Sequence, residues 1–144
     1  MSLGDFEILK ALGEGAYGCV YRVRRIQENQ EYAMKVIKMQ GLTKKEKENS
    51  INEVRLLASL RAKEILRYKE AFFEKNDLHI IMEYAENGDF LKFIESLKSR
   101  GEFLTEAQVV SYGVQLSEGL IALSSLSIIH RDLKCANIMM SKNY

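Results

Sequence analysis

The sequence of residues 6–39 is FEILKALGEGAYGCVYRVRRIQENQEYAMKVIKM. Polar and apolar residues alternate through most of this stretch, and β-branched and aromatic side chains are frequent. Alternation with a period of two is typical of strands with one buried face, so the stretch predicts three antiparallel strands. The glycine-rich GEGAYG separates the first two strands, and the polar IQENQ separates the second from the third.

The rest of the chain extends this pattern into an α+β fold. Apolar residues at helical spacing predict a helix from Thr43 to Leu60, capped by Thr43 or Ser50. Two further strands are predicted at LRYKEAFFE (66–74) and LHIIMEYA (78–85), with KND as the turn between them. Helices are predicted at FLKFIESLKS (90–99) and from Thr105 to about Leu126, where Thr105 and Gln108 form a capping box. The apolar positions of the long helix are Val109, Val110, Val114, Leu116, Leu120, Ile121 and Leu123.

The composition is that of a globular domain. The chain has 144 residues, of which 47% are hydrophobic and 28% charged, and its net charge is +1. A charge so close to zero creates no field that attracts nucleic acid or an anionic membrane. Cys19 and Cys135 are too few for a disulfide framework, and no apolar run approaches the roughly 20 residues of a membrane span. We therefore expect a cytoplasmic protein with no nucleic-acid or membrane partner.

The first candidate site is the glycine motif Gly13-x-Gly15-x-x-Gly18-x-Val20. Glycines let the backbone approach phosphate oxygens closely and present its amide groups as donors. An ordinary flexible hairpin is one alternative, and the dinucleotide-binding turn of a dinucleotide-dependent enzyme is another, because it has the same spacing and opens a helix. A strand pattern, Cys19–Arg25, comes after the motif here. This order argues against the dinucleotide interpretation.

The second candidate is Lys35, at the centre of an otherwise apolar strand. A buried ammonium without a counter-charge costs several kcal/mol, so this lysine is expected to contact an anion. Glu53 is acidic and lies on the apolar face of the predicted helix, where it supplies the opposite charge. We predict a Lys35–Glu53 ion pair that orients the ammonium towards a phosphate. Taken singly, each residue is equally well explained as a surface charge.

The third element is HRDLKCAN (130–137), directly after the long helix. It resembles the catalytic loop of protein kinases, H-R-D-L-x-x-x-N, and it comes after the glycine motif, the strand lysine and the helix glutamate in the order that this family has. Lys134, two residues after Asp132, matches the serine/threonine branch. The segments NEVRLL (52–57), LRY (66–68) and MEY (82–84) are most similar to the NIMA-related kinases. The resemblance implies a kinase-like N-lobe and hinge over residues 1–85 and a partial, helical C-lobe over residues 86–144.

The resemblance also implies roles for the residues of the loop. Asp132 would accept or orient the proton of the attacking serine or threonine hydroxyl, and Asn137 would bind one magnesium ion. Lys134 would lie near the transferred phosphoryl group. Together with Lys35 and Glu53 they form the implied catalytic set, with ATP and Mg²⁺ as cofactors and a protein carrying a Ser or Thr acceptor as substrate. His130 would be a packed histidine, and Arg131 a residue that receives an activation-loop phosphate.

The nucleotide site implied by the resemblance draws on both halves of the chain. Val20 and Ala33 would cover the adenine ring from one side and Met139 from the other, while backbone groups of Glu83 and Ala85 would bind the adenine edge. Asp89 would reach the ribose, although a charge at a helix N-terminus explains it as well. The implied set of nucleotide-binding residues is Leu12, Gly13, Gly15, Gly18, Val20, Ala33, Lys35, Met82 (the gatekeeper), Glu83, Ala85, Asp89 and Met139.

Residues 138–144, IMMSKNY, predict one strand that enters a tight turn. The sequence departs from the kinase pattern after Asn137. No D-F-G is present, so we expect the chain by itself to have lost most phosphotransfer activity. A nucleotide-binding pseudokinase or scaffold is the alternative function. We also expect Val110, Val114, Ile121 and Leu123 to be partly exposed and to favour self-association. An association with the cytoskeleton or the cilium is implied by the NIMA-related resemblance alone.

Overall fold

The structure is a computed structural model, and it describes residues 2–15 and 18–142. The chain divides into two compact units. The first contains Met1–Leu60 and Leu66–Tyr84, and the second contains Arg61–Ile65 and Ala85–Tyr144. The domain boundary expected between residues 85 and 86 stays a prediction.

The first unit is built on an antiparallel sheet. Within the described residues the sheet has five strands in the order β1-β2-β3-β5-β4. The strands are β1 (Phe6–Gly15), β2 (Gly18–Arg25), β3 (Gln30–Lys38), β4 (Tyr68–Glu74) and β5 (Asp77–Glu83). The strand pattern expected from the alternation of residues is confirmed. The predicted turn between β4 and β5 is also present, with Lys75 and Asn76 at φ 52° and 64°, as in the two-residue turns that join twisted strands.

One helix, α1 (Lys44–Ser59), is inserted between β3 and β4. Thr43, one of the two expected capping residues, begins it: Thr43 Oγ1 accepts a hydrogen bond from the Glu46 amide at 3.3 Å, and Glu46 Oε2 accepts one from the Thr43 amide at 2.7 Å. This reciprocal capping satisfies amide groups that the helix itself cannot pair. Val54 and Leu57 pack against one face of the sheet, on the buried residues Ile37, Met39, Leu78 and Ile80.

The opposite face of the sheet has its own core of Phe6, Val23, Tyr32, Met34 and Ile81. Arg25 is buried beside it, an arrangement that the sequence did not indicate. Its guanidinium pairs with Glu28 at 3.0 Å and with Glu70, and it lies 5.1 Å from the centroid of the Phe6 ring. A buried charge is tolerated only when it is paired in this way.

The second unit contains α2 (Phe90–Ser99), α3 (Glu106–Ser125) and a short 3-10 helix, Cys135–Asn137. The predicted capping box of α3 is confirmed, because the Thr105 amide donates to Gln108 Oε1 at 2.9 Å and the Gln108 amide donates to Thr105 Oγ1 at 3.2 Å. Within residues 2–15 and 18–142, no helix has both the length and the apolarity of a membrane span.

The two sides of α3 differ in exposure. Val110, Val114 and Ile121 are exposed by 57%, 50% and 68%, as expected. Leu123, expected to be exposed with them, is buried at 9%, so that part of the prediction is wrong. Apolar residues occur on every side of α3, so periodicity alone does not identify which side is buried.

Residues after Asn137, expected to form a strand and a turn, form only a short pairing. Met139 makes an isolated antiparallel bridge with Asp89. The Phe90 amide donates to the Ile138 carbonyl and the Met140 amide donates to the Gly88 carbonyl, both at 2.8 Å. The last two residues of the expected turn lie outside the described residues.

Candidate active site

The glycine motif lies in the hairpin of β1 and β2, with Gly13 opposite Val20 and Gly15 opposite Gly18. A strand comes after the motif, as the sequence predicted, and Ala16 and Tyr17 lie outside the described residues. Gly18 has φ 147°, and a Cβ on it would lie 1.8 Å from the Val36 carbonyl oxygen. Gly18 is therefore required for the close approach of β2 to β3. The sequence had indicated only that glycines here would let the backbone approach a phosphate.

Lys35 and Glu53 form the predicted ion pair. Lys35 Nζ lies 2.6 Å from Glu53 Oε1 and so joins β3 to α1. The expectation of a buried ammonium is wrong, however, because the two side chains are 34% and 45% exposed. A pair this accessible contributes only about 0–1 kcal/mol to stability. Its consequence is positional: Lys35 stands opposite Val20, beside the glycine motif.

Val20 and Ala33, expected to cover one side of the adenine ring, share one face of the sheet with Lys35 and Met82. Val20 pairs with Lys35, and Ala33 pairs with Met82, which places all four side chains on the same side of the sheet. Leu12 is half-buried in β1, near the end that carries the glycines.

At the end of β5, the Glu83 amide already donates to the Arg67 carbonyl at 2.8 Å. A backbone hydrogen bond between Glu83 and an adenine edge would therefore be one that the Glu83 carbonyl oxygen accepts from adenine. Ala85, the other residue expected at the adenine edge, is buried, and its carbonyl accepts from the Gly88 amide at 3.3 Å.

In the second unit, three loop residues form a charged cluster. Asn137 Nδ2 donates to Asp132 Oδ2 at 2.9 Å and to the Asp132 carbonyl at 2.8 Å, and Lys134 Nζ lies 3.0 Å from Asp132 Oδ2. The 3-10 turn of Cys135–Asn137 returns the chain towards Asp132, helped by the Asn137 amide, which donates to the Lys134 carbonyl. The side-chain nitrogen of Asn137 donates both of these hydrogen bonds to Asp132. A cation would therefore bind Asn137 through its side-chain oxygen.

These contacts favour the ionised form of Asp132. The hydrogen bond from Lys134, and then that from Asn137, lower the pKa of the Asp132 carboxyl below its ordinary value. The carboxylate is therefore ionised at neutral pH. An ionised carboxylate can orient a hydroxyl by accepting its hydrogen bond and can accept its proton as the bond to phosphorus forms.

His130 does not pack as expected. It is exposed, and its Nδ1 accepts a hydrogen bond from the Asp132 amide at 3.3 Å. Arg131, also exposed, has φ 64°. His130 therefore shapes the loop through a polar contact with the backbone, which hydrophobic patterning cannot reveal. Cys135 is half-buried.

Two roles were expected for Asp89, a contact with the ribose and a charge at a helix N-terminus, and this structure shows the second. Asp89 is the N-cap of α2, its Oδ1 accepts from the Lys92 amide at 2.9 Å, and its Oδ2 pairs with Lys92 Nζ at 2.9 Å. The backbone hydrogen bond from Lys92 is the largest of the effects that lower the Asp89 pKa. The bridge to Asp89 also brings Met139, the other nucleotide-site candidate of this unit, alongside it.

Oxygen ligands for a divalent cation are few in the described part of the chain. No group of three or more His, Cys, Asp or Glu side chains there is arranged to hold a metal ion. The Asn137 amide oxygen and the neighbouring Asp132 carboxylate are donors of the kind that Mg²⁺ prefers. These residues fit a metal that is bound chiefly by phosphate oxygens and water, with one or two protein ligands.

Comparisons with known proteins identify the class. The sequence model of the protein kinase domain matches residues 6–144, so the chain belongs to the protein kinase family. The dinucleotide-dependent alternative is thereby excluded.

Two Nek kinases among the relatives agree with the resemblance to NIMA-related kinases, and an Aurora kinase matches at a similar identity. The chain is 35% identical to serine/threonine-protein kinase Nek5 of Homo sapiens over 141 residues, which cover 98% of the chain and 20% of that protein. It is 34% identical to serine/threonine-protein kinase Nek1 of Mus musculus over 94% of the chain and 11% of that protein. It is also 36% identical to Aurora kinase of Yarrowia lipolytica over 99% of the chain and 38% of that protein. The chain thus spans less than half of each relative.

Proposed function

We propose that the protein transfers the γ-phosphate of ATP to serine or threonine hydroxyls of other proteins. The observation that carries this proposal is the Asp132 cluster: an ionised carboxylate held by an amide and an ammonium, in a chain that belongs to the protein kinase family. The Lys35–Glu53 pair beside the glycine motif supports it from the first unit.

Each polar residue has a separate task in this proposal. Lys35, oriented by Glu53, binds phosphate oxygens of ATP. Asp132 orients the acceptor hydroxyl and accepts its proton, and Lys134 offsets the negative charge that develops on the phosphoryl group. Asn137 binds Mg²⁺ through its amide oxygen. When bound, the metal neutralises charge on the phosphates.

We also propose how active the chain is by itself, whether it self-associates and where in the cell the protein acts. The chain alone transfers phosphate poorly, because phosphotransfer depends on positioned metals and charges and Asn137 is the one residue to which we assign metal binding within the described residues. The exposed Val110, Val114 and Ile121 of α3 favour self-association of the isolated chain. The protein acts in the cytoplasm, at the cytoskeleton or the cilium, on an acceptor protein.

A phosphotransfer assay tests the function. The longest natural polypeptide that carries this sequence is compared with its Lys35→Met and Asp132→Asn variants, with a generic serine-containing protein as substrate. Each variant is expected to lose at least about a hundredfold in rate. Lys38→Met is the control, because Lys38 is an exposed lysine of the same strand, three residues further on.

Two results would contradict the proposal. If the unaltered protein transfers no phosphate but binds ATP, the pseudokinase alternative is favoured. If Lys35→Met and Lys38→Met have the same rate as the unaltered protein, Lys35 has no role in phosphate binding.

A further inference from the structure

Arg22 lies on the face of the sheet that carries Val20 and Ala33, the two sheet residues expected to cover adenine. It stands directly opposite Ala33 in the pairing of β2 with β3, and it is two residues from Val20 in β2. Since side chains in a strand alternate between faces, Arg22, Val20 and Ala33 project to the same side. A long, charged side chain at this position borders the surface on which a purine would stack.

Glu31 holds this side chain in one orientation. Arg22 Nε donates to Glu31 Oε2 at 2.8 Å, and Arg22 Nη2 lies 2.7 Å from the same oxygen. Two charge-assisted contacts to one carboxylate fix the plane of the guanidinium better than one contact would. Arg24 also contacts Glu31, more distantly, with Nη2 at 3.6 Å from Oε1.

The oriented guanidinium of Arg22 lies over an aromatic ring. Its carbon is 5.1 Å from the centroid of the Tyr84 ring, within the range of a cation–π contact. Tyr84 comes directly after Glu83, whose carbonyl is the group available to an adenine edge. The contact therefore ties the residue after β5 to the strand that carries Val20.

We propose that Arg22 is a positioning residue of the adenine site. Clamped by Glu31, it holds Tyr84, and through Tyr84 the Glu83 carbonyl, at a fixed separation from Val20 and Ala33. The inference rests on the proposed ATP-binding function and adds to it a residue that acts through its neighbours. It implies that losing Arg22 weakens recognition of the adenine ring and leaves binding of the phosphates unchanged.

Arg24 provides a matched control. It is an arginine of the same strand and the same face, similarly exposed (38% against 37%), and it pairs with Glu7 at 3.3 Å and with Glu31. Both arginines pair with Glu31. They differ in their second contact, which is the Tyr84 ring for Arg22 and the Glu7 carboxylate for Arg24. A general effect of removing a surface arginine would appear in both variants.

The test measures two ligands by calorimetry on the 144-residue chain: adenosine, which reports the ring site, and inorganic tripolyphosphate, which reports the phosphate site. Arg22→Ala is expected to weaken adenosine binding about two- to fivefold, the loss of an exposed cation–π contact. Its tripolyphosphate affinity should be unchanged. Arg24→Ala should leave both affinities as they are, and Arg22→Lys should restore little, because an ammonium lacks the planar fork.

Variants of Tyr84 decide the outcome if Arg22→Ala proves unstable in a thermal melt. Tyr84→Leu should reproduce the adenosine defect, and Tyr84→Phe, which retains the ring, should not. The proposal is overturned if unaltered chain binds adenosine and Arg22→Ala or Tyr84→Leu binds it equally well, or if both ligands weaken together. Failure of the unaltered chain to bind either ligand would instead contradict the proposed ATP-binding function.

Discussion

The Lys35–Glu53 pair of the first unit and the Asp132 cluster of the second hold their charges in different ways. Lys35 and Glu53 are 18 residues apart and meet only because β3 and α1 are both in place. Asp132, Lys134 and Asn137 lie within six residues and are held by the hydrogen bonds of their own loop. The comparison indicates that the first arrangement depends on the packing of a scaffold, and the second on local polar contacts.

The largest effect on the first arrangement should come from Gly18→Ala. The new Cβ would meet the Val36 carbonyl oxygen, which is backbone and cannot rotate away, so we expect a loss of about 2–3 kcal/mol in the free energy of unfolding. Urea denaturation measures it. Gly13→Ala is the control from the same motif, because nothing lies within 4 Å of a Cβ at Gly13. Equal stability of the two variants would show that the motif is not constrained by β3.

A smaller effect is expected from Thr43→Ala, which removes the cap of α1. Loss of an N-cap hydroxyl typically costs about 1 kcal/mol, and here it also frees the first turn of the helix that carries Glu53. Hydrogen exchange should show faster exchange at the start of α1. Thr105→Ala removes the matching capping box of α3, in the other unit. If the Thr43 variant exchanges like the Thr105 variant at α1, the cap has no specific effect on that helix.

The smallest effect concerns the protonation of Asp132. Its pKa is lowered in the folded chain, so the contacts that lower it stabilise the loop fully above the ordinary pKa of aspartate and are lost as the pH falls through the lowered value. Lys134→Met should raise the Asp132 pKa towards its ordinary value, because the Lys134 hydrogen bond is the largest cause of the shift.

Carboxyl-carbon NMR titration measures that change, with Lys98→Met of α2 as the control variant. An Asp132 pKa that stays the same in Lys134→Met would contradict the local account of the loop.

The sequence was sufficient for features that repeat along the chain. Alternation placed the five strands, and Thr43 and Thr105 placed the starts of two helices, because each signal is local. The Lys35–Glu53 pair could also be predicted, since a lysine in an apolar strand and a glutamate on an apolar helix face are both anomalous.

Other features required coordinates. The need for glycine at position 18 comes from a neighbouring strand, and the Arg22–Tyr84 contact joins residues 62 positions apart that no periodicity relates. The packed side of α3 was misassigned at Leu123, because apolar residues occupy both sides of that helix. His130 was expected to be packed but is exposed. Its contact is a hydrogen bond from the Asp132 backbone amide, which a hydrophobic pattern does not reveal.

The proposed function requires Lys35 and Asp132 to serve the same reaction, and a double-variant kinetic comparison tests this requirement most directly. Phosphotransfer rates are measured for the longest natural polypeptide and for its Lys35→Met, Asp132→Asn and doubly substituted forms. Residues that act as a unit have strongly non-additive effects, so the double variant should be scarcely slower than the slower single variant. Rate losses that multiply in the double variant would contradict the account, because they would mean that the two residues act independently.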